Sequence, residues 1–152
     1  MRTMICFNHG WQFAKPGETP QAVTLPHTWN AKDGTDGGND YFRGTCTYTK
    51  EFAAPAHTEG EEVWLEFEGV AMSAVVTLNG QELARHAGGY STFRVNLTPA
   101  LTAQNTLTVT VDNIANRTVY PQKADFTFYG GIYRDVHMLV VPHSHFALDN
   151  HG

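Results

Sequence analysis

Val75-Val76-Thr77-Leu78-Asn79-Gly80-Gln81-Glu82-Leu83-Ala84 reads as a strand, a two-residue turn and a second strand. Val and Thr favour strands because a branched side chain packs well on a pleated surface. Asn-Gly supplies the positive φ angles that a tight hairpin turn needs. The same period of two extends outward in both directions. Val63, Leu65 and Phe67 alternate with Trp64, Glu66 and Glu68. Leu107, Val109 and Val111 alternate with Thr106, Thr108 and Thr110, and Cys46, Tyr48 and Phe52 with Thr45, Thr47 and Thr49. A strand with one buried face leaves this signature. Val63, Leu65, Phe67, Val76, Leu78, Leu107, Val109 and Val111 are therefore expected to point inward. In Val136–Val141 both alternating sets are apolar apart from His137. That last strand is expected to be covered on both faces.

No segment sustains a 3.6-residue period; Thr98–Thr102 is one helical turn at most. Many short strands separated by turn residues indicate an all-β sandwich or barrel. About eight strands with long crossing connections is the jelly-roll arrangement, whereas an immunoglobulin-type sandwich usually takes about 100 residues. This chain has 152 residues and two long loops, His27 to Arg43 and Asn113 to Tyr129. Loops of that length in a compact domain are usually functional or disordered. The tail from His143 to Gly152 has no obvious strand partner. It reads as a linker toward a following domain, which leaves residues 1–142 as the folded unit.

A net charge of −5 argues against a nucleic-acid surface or an acidic membrane as partner. No apolar run reaches the ~20 residues that cross a bilayer. The start, Met1-Arg2-Thr3-Met4-Ile5-Cys6-Phe7-Asn8, has no apolar stretch long enough for a signal peptide, so a cytoplasmic location is the expectation. Cys6 and Cys46 do not form the dense framework of a small secreted scaffold. They read as buried or half-buried thiols, and a bridge between them stays open. No Ser/His/Asp order, phosphate loop or metal-ligand spacing stands out. No catalytic residue, metal site or cofactor is expected in this chain.

An ordered set of motifs resembles the N-terminal sugar-binding domain of glycoside hydrolase family 2, which includes β-galactosidases, β-glucuronidases and β-mannosidases. Leu25-Pro26-His27-Thr28-Trp29-Asn30 is similar to the family's LPH(D/T)W turn. Phe67-Glu68-Gly69-Val70, followed by Val75–Leu78 and Asn79-Gly80, is similar to its central hairpin. Asp125-Phe126-Thr127-Phe128-Tyr129-Gly130-Gly131-Ile132-Tyr133-Arg134-Asp135-Val136 is similar to its closing D-x5-G-I-(Y/F)-R-D-V segment. The likeness runs from about Phe7 to Val141. It implies a galactose-binding-domain-like jelly roll whose partners are immunoglobulin-like and barrel domains of the same polypeptide.

The resemblance also implies retaining hydrolysis of a β-galactoside or related sugar by two carboxyl groups ~5–5.5 Å apart on the barrel. The motifs of that pair do not occur here, so the chain alone is expected to be inactive. A stand-alone carbohydrate-binding module and a purely structural bracing domain are the alternatives.

By position in the closing segment, Asp125 corresponds to the family carboxylate that accepts hydrogen bonds from sugar hydroxyls, chemistry that an ionised carboxylate suits. The other reading is an Asp that caps its own loop. The first long loop gathers Asn30, Asp33, Asp36, Asn39 and Asp40 among glycines. Asn39 and Asp40 are its candidates for sugar contact; ordinary loop chemistry and a calcium site are also open, although the spacing does not fit an EF-hand. Arg134 is expected to pair with a carboxylate or loop carbonyls and so lock the loop before it. His27 reads as a turn and packing residue. Trp29, Phe126, Phe128 and Tyr129 offer a stacking platform, with at least two of them expected to go to packing.

Overall fold

A computed structural model describes residues 1–31, 41–121 and 126–148. Among these residues two antiparallel sheets pack face to face. The six-stranded sheet runs β3 (Gln21–Val23), β2 (Trp11–Ala14), β4 (Thr45–Ala53), β10 (Gln104–Asp112), β7 (Ser73–Leu78) and β8 (Gln81–Ala87). The four-stranded sheet runs β1 (Thr3–Cys6), β12 (Val136–Val141), β5 (Glu62–Phe67) and β9 (Phe93–Asn96). A short ladder joins β6 (Val70–Ala71) to β11 (Gly131–Ile132). The strand order is crossed between the sheets, which makes the fold a jelly-roll-like sandwich, as expected.

The alternation in the chain sets the register. Val109 lies opposite Tyr48 on one side and Val76 on the other, and Leu107 opposite Leu78. All eight residues expected to point inward are fully buried, in one cluster with Trp11, Phe13, Tyr48, Met138 and Val140. The hairpin turn takes the expected form, with Asn79 at φ 52° and Gly80 at φ 83°. Thr98–Ala100 forms one turn of 3-10 helix.

The last strand is covered on both faces, as its pattern requires. Met138 and Val140 enter the core. Leu139 and Val141, on the outer face, are buried against Leu148 and Trp64. Among the described residues, the segment 143–148 adds no strand. It folds back across the four-stranded sheet: Arg94 Nη1 donates to the Leu148 carbonyl at 3.2 Å, and the His145 ring lies 6.5 Å from that of Trp64. Both cysteines are free. Cys46 is buried as expected; Cys6 is exposed, because β1 is an edge strand with every residue open to solvent.

Candidate functional site at the stems of two long loops

Asp125, Asn39 and Asp40 lie outside the described residues. The stems of the loops that carry them are described, and they meet in one buried polar knot. Asn30 closes the first stem and Asn113 opens the second; both side chains are fully buried. Asn30 Oδ1 accepts from Gly130 N at 2.7 Å, and Asn30 Nδ2 donates to the Phe42 carbonyl at 2.9 Å. Asn113 Oδ1 accepts from Gly44 N at 2.8 Å, and Asn113 Nδ2 donates to the Phe128 carbonyl at 2.9 Å. The two amides also touch, Asn113 Nδ2 to Asn30 Oδ1 at 3.3 Å. An Asn amide offers donors and acceptors at once. Two of them can therefore satisfy backbone groups of both loops where no sheet partner reaches.

Around this knot the chain closes tightly. Thr28 Oγ1 donates to the Gly130 carbonyl at 2.8 Å, and Trp29 Nε1 donates to the Phe42 carbonyl at 3.1 Å. Arg43 Nε donates to the Asn113 carbonyl at 2.8 Å, with its guanidinium 4.7 Å from the centre of the Phe128 ring. A Cβ on Gly130 would fall 2.0 Å from the Trp29 ring. Gly131 adopts φ 138°, and a Cβ there would meet the His27 carbonyl at 2.4 Å. Gly130-Gly131 is thus required by the close passage of the His27–Trp29 turn.

His27 packs as the turn implied. Its Nδ1 is 2.7 Å from the Tyr48 hydroxyl, and burial lowers its pKa below the usual histidine value. Trp29 and Phe128 go to packing; Phe126 and Tyr129 stay open, 54% and 47% exposed. With Met72, Tyr90 and Tyr133 these two rings wall a cleft of about 480 Å³. Its lining is almost wholly apolar.

The expectation for Arg134 is corrected. Its side chain is exposed and lies 5.4 Å over the Tyr133 ring, with no hydrogen bond or ion pair among the described residues. Its neighbour does the anchoring: Asn8 Nδ2 donates to Asp135 Oδ1 at 2.8 Å, and Asn8 Oδ1 accepts from Val136 N at 2.9 Å. The Asn8 amide, not the Arg134 guanidinium, makes this tie. Asn30 had been grouped with the polar residues of the first loop; the structure draws it inside. Asn113, expected only as the first residue of the second long loop, is its buried cap; an amide directly after an alternating strand is a sequence cue for such a cap.

One further cluster brings Glu66, Glu68 and His137 within 4.8 Å of one another. The Glu66 carboxylate is held by Arg94 and stands 3.8 Å from Arg2. These guanidinium groups already offset its charge and would oppose a cation, so the cluster is an ion-pair network on the outer sheet face.

Residues 39–148 match the family described as glycosyl hydrolase 2 galactose-binding domain-like. A β-glucuronidase of Bacteroides fragilis is 37% identical over 145 residues, which cover 91% of this chain and 21% of that protein. A β-galactosidase of Thermoanaerobacter pseudethanolicus is 27% identical over 91% of this chain and 19% of its own length. The crystal structure of an FMN-binding β-glucuronidase from Facaelibacterium prausnitzii L2-6 superposes with a TM-score of 0.93 at 42% identity, over 98% of this chain and 24% of that one. The chain thus spans about a fifth of the length of these relatives. It belongs to the glycosyl hydrolase 2 galactose-binding domain-like family.

Proposed function

We propose that this chain serves as the sugar-binding domain of a retaining β-glycosidase, with the catalytic carboxyl pair on a barrel domain outside it. The supporting observation is the match over nearly the whole chain to about a fifth of glucuronidase and galactosidase sequences. In this reading Asp125 of the second long loop accepts hydrogen bonds from sugar hydroxyls, and Asn39 and Asp40 of the first long loop are further contacts; all three lie outside the described residues. The similarity leans toward β-glucuronides, since the 37% and 42% identical relatives are glucuronidases, with β-galactosides second. The cleft offers hydroxyls few polar partners, and its exposed Phe126 and Tyr129 suit only an apolar face. We assign it to packing against the barrel and immunoglobulin-like domains of the same polypeptide.

The test is Asp125→Ala in the intact enzyme, assayed with chromogenic β-glucuronide and β-galactoside. A hydrogen bond to a charged group is worth roughly 1.5–3 kcal/mol. The expected loss in kcat/KM is therefore about 10- to 150-fold. An unchanged kcat/KM on both substrates would remove Asp125 from the site.

A further inference from the structure

We propose that the outer face of the four-stranded sheet, with the strap 143–148 that crosses it, seats the next domain of the longer polypeptide, and that Phe146 is the anchor of that joint. The inference rests on the reading above that this chain is one domain of a larger glycosidase. The strap is fastened on both sides of Phe146. Before it, His145 Nδ1 lies 2.8 Å from the Pro142 carbonyl oxygen, His145 Nε2 lies 3.9 Å from Glu62, and the imidazole meets the Trp64 ring edge-on. After it, Leu148 is buried on Leu139 and Val141, and its carbonyl accepts from Arg94. Between these two ties Phe146 is 94% exposed.

A phenylalanine gains at least as much from burial as a leucine, yet the strap buries Leu148 and turns Phe146 outward. For the domain by itself that is the poorer choice; it becomes the better one when a second surface covers the ring. Aromatic side chains dominate the energetics of interfaces, and a backbone already fixed on both sides lowers the ordering cost of docking. The ring also has an apolar neighbour surface. Met4 lies opposite Leu139 in the register, so it projects from the same sheet face, and it is 54% exposed. The occupant follows from the chain itself. The family likeness ends at residue 148, so on the reading above the next domain is joined directly past the strap. A domain tethered there meets this face at an effective concentration on the order of millimolar, well above that of a second copy in dilute solution.

The experiment is hydroxyl-radical footprinting of the intact wild-type enzyme, read by mass spectrometry at Phe146 and Met4. Phe146 should be oxidised at least about tenfold more slowly in the folded enzyme than in denaturant, since a docked anchor is desolvated, and its protection should not change with protein concentration. Oxidation at the denatured rate would overturn the proposal. Protection that disappears on dilution would overturn it as well, because it marks a second copy as the occupant. In Phe146→Ser, Met4 should become several-fold more reactive, and in Phe146→Leu, which keeps an apolar side chain, it should stay protected. Unchanged Met4 reactivity in Phe146→Ser would deny Phe146 the anchoring role. Hydrolysis of chromogenic β-glucuronide and β-galactoside by the same wild-type sample tests the glycosidase reading separately: an inactive protein with Phe146 protected would overturn that reading alone.

Discussion

Lys50 stands on β4 where strict alternation places an inward side chain between Tyr48 and Phe52. The chain tolerates it because the ammonium lies 4.0 Å from the Phe7 ring centre and donates to the Phe7 carbonyl at 3.4 Å and to the His9 carbonyl. Burial lowers its pKa. The two thiols show how much exposure decides at single residues. Cys46 is 1% exposed, and burial pushes its pKa up to about 12; Cys6 lies open on an edge strand. Because the thiolate is the reactive form, Ellman's reagent should titrate one thiol in the native chain and both in denaturant. Rapid reaction of both under native conditions would contradict the packing around Cys46. His27 carries a pH dependence whose sign follows from its environment. Its folded pKa is below the unfolded value near 6.5, so the unfolded chain takes up the proton first as pH falls. The contribution of a neutral His27 is thus complete above about pH 6.5 and declines below it. Melting temperatures between pH 7.5 and 5.5 should fall less in His27→Gln than in wild type; equal falls would place the pH dependence elsewhere.

The strands were legible in the chain because one buried face imposes a period of two, and a one-residue slip would turn every apolar side chain outward. Val109→Asp should therefore abolish cooperative folding, since it places an unpaired charge between Tyr48 and Val76. A soluble variant with a sharp melting transition would refute that register. The irregular elements were less legible. The double-sided coverage of β12 was written in its apolar run, but not what covers the outer face. A single Leu148 in a polar tail has no periodicity to announce it. Once seated on Leu139 and Val141, it is 8% exposed. Leu148→Ala should cost about 2 kcal/mol, the low end for a buried leucine, or roughly 4–8 °C in melting temperature at this chain length. No measurable shift would mean that the tail does not hold this position in solution. The loop stems sit between these cases. Gly130-Gly131 and the LPHTW-like turn were visible, whereas their mutual fit was not, because the partners are about 100 residues apart and bond through neutral amides rather than paired charges.

At the scale of the whole molecule, the described residues share a buried core and leave apolar surface open at one end. The two sheets bury one continuous cluster, yet the loop end exposes Phe126, Tyr129 and Tyr90 around an apolar cleft. A cleft with so few polar groups offers hydroxyls little to replace water. A site that binds a small ligand well buries ~70–90% of its surface. On the reading proposed for Asp125, one loop carboxylate at one rim of a pocket would leave most of a sugar in solvent. The isolated chain should therefore hydrolyse neither chromogenic β-glucuronide nor β-galactoside. It should bind glucuronate or galactose only at millimolar levels or weaker, on the order of −4 kcal/mol or less. Its cleft, by contrast, should bind an apolar fluorescent dye, and Phe126→Ser should weaken that binding while leaving the melting temperature within a degree or so, since a half-exposed ring contributes little to the core. In the intact enzyme the same cleft should be closed to the dye. Micromolar sugar binding by the isolated chain would favour a self-sufficient carbohydrate-binding module, and dye binding equal in both forms would show that the remaining domains do not cover this face.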